Sequence, residues 1–283
     1  MKKTVRIIPR LDIKGPNLVK GVQLEGLRVL GQPNEFAEYY FKSGADEIFF
    51  QDVVASLLER NSLHEIISRT AKNIFIPITV GGGIKNLDDI YKVLRAGADK
   101  VSLNTAAIKN PNFISEAVRN FGSSTIVIAI EAIKNKNGVY FSFVDNGREE
   151  TGVEVKDWAR RIDDLGAGEI IITSVDQDGT GNGFDKKLVS LVKKNVSIPV
   201  IAHGGGNKTS NLLDTINLSS ADAVAFASLF HYEAFRKIDQ KFDESEKGNR
   251  YFVEKKEQYS RINPTTIKDL KHFLIQNNIS CRL

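Results

Sequence analysis

The sequence predicts a single (β/α)8 barrel, and three observations lead to that fold. Short runs rich in Val, Ile and Phe alternate with amphipathic stretches along the 283 residues, a pattern typical of parallel strands joined by helical crossovers. Eight such units in roughly 250 residues have the size of a closed barrel. The third observation is an internal repeat of about 122 residues, which predicts two half-barrels.

The predicted elements follow one another in strict alternation. Strands are expected at residues 5–8, 47–50, 76–80, 100–103, 126–130, 169–172, 198–202 and 223–227. Helices are expected at 33–42, 62–72, 87–95, 112–120, 155–165, 186–194 and 208–216, with a closing helix at 265–277. A charged segment, 233–261, separates the last strand from that closing helix. We interpret it as a solvated insertion, or alternatively as a lid over the carboxyl ends of the strands.

The repeat relates the two halves of the chain segment by segment. Residues 76–83 resemble 198–205, and both end in a glycine triplet. Residues 46–48 resemble 168–170, and 98–99 resemble 221–222 at nearly the same offset. Three matching patches at one offset favour a duplicated half-barrel over chance similarity between strands.

Composition excludes several classes of protein. Hydrophobic residues make up 41% and charged residues 26%, as in ordinary globular proteins. A net charge of +4 does not predict nucleic-acid binding but is compatible with phosphorylated small molecules. The single cysteine, Cys281, excludes an internal disulfide or a multi-cysteine zinc site. No signal peptide or apolar run of ~20 residues is found. We therefore expect a cytoplasmic protein that needs no metal or cofactor and contacts no membrane.

Two carboxylates are the first candidates for chemistry. In (β/α)8 barrels the active site lies at the carboxyl ends of the strands. Asp12 and Glu131 end the first and fifth predicted strands, which face each other across the barrel. Paired carboxylates suit general acid–base catalysis, although one alone is more often a helix cap. Other polar side chains at strand ends or just beyond them are Asp52, Asn104, Thr105, Thr173 and Asp178.

Two glycine triplets predict phosphate sites. Gly82 and Gly83 follow the third strand, and Gly205 and Gly206 follow the seventh. Without side chains, their backbone N–H groups can approach an anion. Asn104 and Thr105 complete the first site and Ser228 completes the second. One triplet alone usually marks a tight turn, but two at symmetric positions indicate a substrate with a phosphate at each end.

A ring of charges is predicted at the opposite end of the barrel. Arg6, Glu47, Lys100 and Glu169 lie four or six residues before polar residues of the same strands. Even spacing keeps side chains on one face of a strand, so all four are expected to point inward. Such a ring is either an ion-pair plug that stabilises the barrel or an entrance for a small polar molecule supplied by a docked partner.

Several motifs resemble the HisF family, the cyclase subunit of imidazole glycerol phosphate synthase. They are residues 6–14, 18–21, 79–83, 99–105 and 173–180, and the similarity runs from about residue 5 to 232 and resumes in the last helix. Within the motifs lie Lys20, Asp178 and Gly179, which we assign to substrate binding. The resemblance implies a HisH-type glutaminase docked at the amino-terminal face of the barrel. It also implies that Arg6, Glu47, Lys100 and Glu169 gate ammonia.

The implied reaction joins that ammonia to a phosphorylated substrate. The acceptor is a ribulosyl phosphate compound carrying an aminoimidazole carboxamide ribotide. The products are imidazole glycerol phosphate and the carboxamide ribotide. In the family, the positions of Asp12 and Glu131 form the acid–base pair, and the glycine loops hold the two phosphates.

Three departures from the family pattern leave alternatives open. Glu131 replaces the usual Asp, and its extra methylene is expected to displace the carboxylate by more than ~1 Å, enough to cost about a hundredfold in rate. Arg10 and His203 replace small residues. A buried Arg10 needs an anionic partner, either Asp12 or Glu131, and is expected to hold that partner ionised. The alternatives are a paralogue that delivers ammonia to a surface-polysaccharide sugar and a channelling subunit without chemistry of its own.

Overall fold

The computed structural model describes residues 4–54, 63–238 and 261–283. Twelve strands run in chain order from β1 to β12 within these ranges. They are Arg6–Lys14, Asn17–Val22, Glu25–Gly31, Ile48–Asp52, Ile78–Gly81, Lys100–Leu103, Ile126–Lys134, Tyr140–Val144, Glu149–Glu154, Glu169–Ser174, Val200–His203 and Ala223–Phe226.

Eight of these strands close into the predicted parallel barrel. Their order around the barrel is β1, β4, β5, β6, β7, β10, β11 and β12, and β12 pairs with β1 to complete the circle. β10 pairs with β7 on one side and β11 on the other, so no edge is left open. Each predicted strand overlaps one of these eight, and the (β/α)8 fold is confirmed.

Ten α-helices, α1 to α10, are present in the described part of the chain. They span Pro33–Lys42, Leu63–Thr70, Leu87–Arg95, Thr105–Lys109, Asn112–Phe121, Val155–Asp164, Lys186–Lys193, Thr209–Ser219, Ser228–Lys237 and Ile267–Gln276. Side-chain caps explain several starts, since Asn86, Asp185 and Thr266 each accept a hydrogen bond from a backbone N–H of the first turn. The predicted charged insertion begins inside α9, and its residues 239–260 lie outside the described ranges.

Two β-hairpins were not predicted. Strands β1 and β7 continue beyond Asp12 and Glu131, and each turns into an antiparallel hairpin, β2–β3 after β1 and β8–β9 after β7. Asp12 and Glu131 therefore lie inside long strands rather than at strand ends. The hairpins occupy equivalent places in the two halves, so the predicted half-barrel repeat extends to them.

The barrel interior is layered. An apolar cluster of eight buried residues forms its middle: Ile8, Phe49, Val127, Ala129, Ile171, Ile201, Ala223 and Ala225. By strand alternation, residues two positions before and after Ile8, Phe49 and Ile171 share their inward face. These are charged below and polar above, so an apolar layer separates two polar ends of one bore.

Candidate active site at the carboxyl ends of the barrel strands

A cavity of about 380 Å³ lies at the carboxyl ends of the strands, where the sequence places the active site. It opens above β4, β5, β6 and β7, and Arg10 from β1 and Thr173 from β10 complete its wall. Glu131 lines this cavity. Asp12 is not among the described residues that line this cavity.

Asp12 instead lies against two cations. Its Oδ1 accepts a hydrogen bond of 2.9 Å from Nε of Arg10, and its Oδ2 is 3.9 Å from Nζ of Lys20. All three side chains are almost fully buried. Arg10 therefore stands between the Asp12 carboxylate and the cavity, and the anionic partner predicted for Arg10 is Asp12.

Lys20 and Asp178 extend this cluster as a buried ion pair. Their Nζ and Oδ2 atoms are 2.7 Å apart. Burial acts to raise the pKa of the Asp178 carboxyl, but the charge and hydrogen bond of Lys20, together with the neighbouring His203 and Arg10, hold that pKa below its ordinary value. Lys20, predicted to bind substrate, is thus occupied by two carboxylates and does not line the 380 Å³ cavity.

His203 and Thr173 both contact the guanidinium of Arg10. Nη1 of Arg10 is 3.2 Å from Oγ1 of Thr173 and 3.4 Å from Nδ1 of His203, and those two atoms are themselves 3.2 Å apart. Burial, reinforced by the Arg10 charge, lowers the pKa of His203 well below its ordinary value. The imidazole is neutral at physiological pH as a result.

Glu131 has a different environment. Its Oε2 accepts a 2.8 Å hydrogen bond from the backbone N–H of Gly147, in the β8–β9 turn. Burial raises the pKa of the Glu131 carboxyl from 4.5 to about 7, while the nearby Arg10 charge and the Gly147 N–H act in the opposite direction. A carboxyl with a pKa near 7 can donate or accept a proton at neutral pH.

The first predicted phosphate site lies in the 380 Å³ cavity. Gly82, Gly83, Asn104 and Thr105 all line it. Gly82 has a φ of +100°, and a Cβ there would lie 2.3 Å from the Asp52 carbonyl oxygen, so only glycine fits. The glycines therefore carry no side chain that would cover the loop, and their backbone N–H groups are the kind of donors that bind an anion.

The second predicted phosphate site is much smaller. Gly205, Gly206 and Ser228 line a cavity of about 10 Å³, together with Asp178, Gly179 and His203. Oγ of Ser228 is buried and has no hydrogen-bond partner among the described residues. Ser228 is the first residue of α9, so this hydroxyl lies where backbone N–H groups favour an anion.

The predicted ring of charges is present at the opposite end of the bore. Lys100 Nζ lies 2.9 Å from Glu47 Oε2 and 3.2 Å from Glu169 Oε2, and Arg6 contacts the same two carboxylates. Cations and anions therefore alternate around the ring. Arg6 and Lys100 are 29% and 20% exposed at their side chains, so the ring is reached from outside the barrel.

Sequence reasoning missed two inward-facing hydroxyls. Oγ1 of Thr79 donates a hydrogen bond to Glu47 and so belongs to the charged ring. Ser102 lines the 380 Å³ cavity, and its buried Oγ has no partner among the described residues. Ser102 lies two residues from Lys100, a predicted inward position, so the even-spacing rule was sufficient to find it, whereas no inward position was predicted on the strand of Thr79.

The described ranges hold no cluster of three or more His, Cys, Asp or Glu side chains able to bind a metal ion. None of their helices is both long and apolar enough to cross a membrane.

Comparison with known proteins identifies the family to which this chain belongs. Residues 6–236 match the family model described as histidine biosynthesis protein. A subunit named imidazole glycerol phosphate synthase subunit HisF, from Legionella pneumophila, is 59% identical over 204 residues, which cover 72% of this chain and 96% of the relative. Proteins of the same name from Bacillus cereus and Lactococcus lactis are 46% identical, over 80% and 81% of this chain and 90% and 89% of their own lengths.

Proposed function

The chain belongs to the histidine biosynthesis protein family as a HisF-type cyclase subunit of imidazole glycerol phosphate synthase, and on this premise we propose how its barrel performs the reaction. Ammonia enters through the charged ring, crosses the apolar layer and reacts in the 380 Å³ cavity with a ribulosyl aminoimidazole carboxamide ribotide. Imidazole glycerol phosphate and the carboxamide ribotide leave. The observation that carries the proposal is the alignment of these three layers along one bore.

The layers suit neutral ammonia. An apolar layer strongly disfavours a charged ammonium ion, because burying an unpaired charge costs far more than burying a small neutral polar molecule. At the ring, the carboxylates of Glu47 and Glu169 can accept hydrogen bonds from an entering nitrogen. Lys100 and Arg6 close the ring when nothing passes.

Two anion sites fit a substrate with two phosphates. We assign one phosphate to the loop of Gly82, Gly83, Asn104 and Thr105, whose cavity is open. The other belongs to Gly205, Gly206 and Ser228, where the unpartnered Ser228 hydroxyl supplies a hydrogen bond. The acid–base pair, Asp12 and Glu131, lies between them on opposite sides of the barrel.

The amino-terminal face is the surface that we assign to a HisH-type glutaminase. Four of the six large hydrophobic residues that are exposed in the described part of the chain are Phe75, Leu218, Ile275 and Leu283. Phe75 lies between α2 and the start of β5, Leu218 lies in the last turn of α8, which precedes β12, and the carboxyl-terminal segment is joined to Thr4, just before β1. These apolar side chains thus lie at the end that carries the charged ring, as a docking surface requires.

The two alternatives, a sugar-amidating paralogue and a channelling subunit without chemistry, are not favoured. The relatives described above all carry the name of the same synthase subunit. A cytoplasmic location is also part of the proposal. A chain with a single cysteine cannot form the internal disulfides that are typical of proteins in oxidising compartments.

The test is turnover of the purified chain with the ribulosyl substrate and an excess of ammonium salt at neutral pH, which requires no partner. Asp12→Asn is expected to abolish turnover, because its carboxylate is lost while its shape is kept. The matched control is Asp88→Asn, which removes an exposed carboxylate paired with Lys92 and is expected to leave turnover unchanged. Absence of turnover above background in the unmodified chain eliminates the proposal.

A further inference from the structure

The two proposed anion sites differ at one position of the internal repeat. Residues 76–83 resemble 198–205, and in this alignment His203 stands where the first site has Gly81. The cavity beside His203 measures about 10 Å³, which is room for about one water molecule and less than a phosphate needs. The second site therefore admits no phosphate unless part of its wall moves.

The aromatic part of that wall is tightly packed. Phe226 lies edge-on against Phe184 and Phe230, with ring centres 5.3 and 5.1 Å apart. The glycine loop lies directly on the same ring, since a Cβ at Gly206 would be 2.6 Å from a ring carbon of Phe226. A buried aromatic cluster of this kind leaves little room for a shift of either the ring or the loop.

His203 is held by weaker contacts than the other large side chains of the wall. Asp178 is fixed by its 2.7 Å ion pair with Lys20. Nδ1 of His203 is 3.2 Å from Oγ1 of Thr173 and 3.4 Å from Nη1 of Arg10. Its Nε2 is 3.9 Å from Oδ1 of Asp178, beyond hydrogen-bond distance. His203 is therefore the side chain whose movement enlarges the second site at the smallest cost.

The imidazole of His203 also separates the two sites. Arg10 and Thr173, which contact its Nδ1, line the 380 Å³ cavity of the first site. Asp178, which faces its Nε2, lines the second site. The imidazole thus stands between the two cavities, where a substrate that reaches both of them has to pass.

Behind the imidazole, the second site keeps the groups that an anion requires. Oγ of Ser228 is buried at the first residue of α9 and has no hydrogen-bond partner among the described residues. Gly205 has a φ of +96°, and a Cβ there would lie 2.1 Å from the carbonyl oxygen of Gly183. A glycine loop and a hydroxyl at a helix N-terminus are anion-binding groups, so the site is closed rather than absent.

We propose that His203 is a specificity-determining residue: its imidazole closes the second anion site of the free chain, so that a phosphate binds at the first site alone until the imidazole turns away. A substrate with two phosphates displaces the imidazole and loses its contacts with Thr173 and Arg10. The second phosphate consequently adds less to affinity than the first. The inference rests on the proposed function, because it concerns one of the two phosphate sites assigned there.

The first experiment uses inorganic phosphate and needs no substrate. The chain is labelled with ¹⁵N, and the backbone N–H signals of Gly83 and Gly206 are followed while phosphate is added. In the wild type the Gly83 signal is expected to shift and the Gly206 signal to stay in place. In His203→Ala both signals are expected to shift. The matched control is His272→Ala, which removes an exposed imidazole on α10 and is expected to behave as the wild type does.

The second experiment measures the affinity for the ribulosyl substrate by calorimetry without ammonia, so that no reaction takes place. His203→Ala is expected to bind this two-phosphate compound about fivefold more tightly than the wild type, because roughly one net hydrogen bond no longer has to be broken. Imidazole glycerol phosphate, which carries one phosphate, is expected to bind both proteins equally well. A purely structural role of His203 would change the affinities for both compounds together.

The wild type alone can overturn the inference. A Gly206 signal that shifts at the same phosphate concentrations as the Gly83 signal shows that the second site is already open. A folded His203→Ala variant whose Gly206 signal stays in place also overturns it, and His203→Ser takes the place of an alanine variant that does not fold. Shifts at neither glycine in any of these proteins contradict the inference as well. Absence of wild-type turnover, with both glycine signals behaving as expected, overturns the proposed function and leaves the inference standing.

Discussion

The half-barrel that ends with β6 places two cations against its carboxylate, whereas the half-barrel that begins with β7 places none. Asp12 and Glu131 have the same position in the repeat, and each is followed by a hairpin. Only the side chains around them differ. The comparison teaches that equivalent positions in the fold do not give two carboxyls the same surroundings, because the neighbouring side chains, here Arg10 and Lys20, differ between the halves.

The two proposed anion sites differ for a similar reason. Gly81 ends β5 and His203 ends β11, at equivalent points of the repeat. A Cβ at Gly81 would lie 2.5 Å from Oε1 of Gln51, so the first site has no side chain there. At the second site the His203 side chain lines the wall. The cavities measure about 380 and 10 Å³ accordingly.

The largest expected effect comes from removing the proton carried by Glu131. Glu131→Gln keeps an oxygen that can accept from the Gly147 N–H, but it cannot give up a proton in the same way. Ammonium-dependent turnover is expected to fall ~10²- to 10⁴-fold, the usual contribution of a general acid or base. Steady-state kinetics at pH 7 measures this. A decrease of less than threefold would remove Glu131 from the acid–base pair.

The cation beside Asp12 is expected to matter most for stability. Lys20→Met leaves Asp178 buried without its partner, which costs about 3–5 kcal/mol in the free energy of unfolding. The control is Glu25→Ala, which breaks the exposed pair with Arg148 and costs less than about 1 kcal/mol. Urea unfolding monitored by circular dichroism compares them. Equal losses of unfolding free energy in both variants would show that the buried pair of Lys20 and Asp178 contributes no more to stability than an exposed ion pair.

The pH dependence of stability sharpens the contrast. Folding raises the pKa of Glu131 from 4.5 to about 7, so the folded state binds the proton more tightly than the unfolded state between these values. Stability due to this group is therefore present below pH 4.5 and is lost as pH rises to 7, by up to ~3 kcal/mol. Urea midpoints of wild type and Glu131→Gln are expected to diverge as pH rises, with the variant relatively more stable. Parallel curves would contradict the raised pKa.

The smallest expected effect is that of shortening Glu131. In Glu131→Asp the carboxylate retreats by one methylene from the Gly147 N–H, which it now contacts at 2.8 Å. Turnover is expected to decrease by about 10- to 100-fold. Kinetics of the variant with ammonium salt measures this. An increase of tenfold or more would instead support the expectation, made from the sequence, that the longer side chain is misplaced.

Much of the barrel was predictable because strand and helix periods are local properties. The inward position of the charged ring followed from even spacing along strands. The β8–β9 hairpin was missed although Asp145-Asn146-Gly147 is a turn signal between two short strands. The β2–β3 turn carried no such signal, because Gln23 and Leu24 adopt positive φ without being turn-forming residues.

The partner of Arg10 was not predictable from the sequence. Asp12 and Glu131 both have suitable charge and face, and the choice depends on where the guanidinium points. That direction is set by Thr173 and His203, more than 160 residues away along the chain. Long-range packing of this kind leaves no local pattern, so only the structure reveals it.

The claim that ammonia travels inside the barrel has one direct test. The chain is assembled with a HisH-type glutaminase and given glutamine labelled with ¹⁵N on its side-chain amide, together with an excess of unlabelled ammonium salt. Mass spectrometry then measures the label in imidazole glycerol phosphate. The account predicts product that remains mostly ¹⁵N-labelled in the wild type and becomes diluted in Lys100→Ala, which opens the charged ring. Wild-type product whose label matches the mixed pool in solution would contradict it.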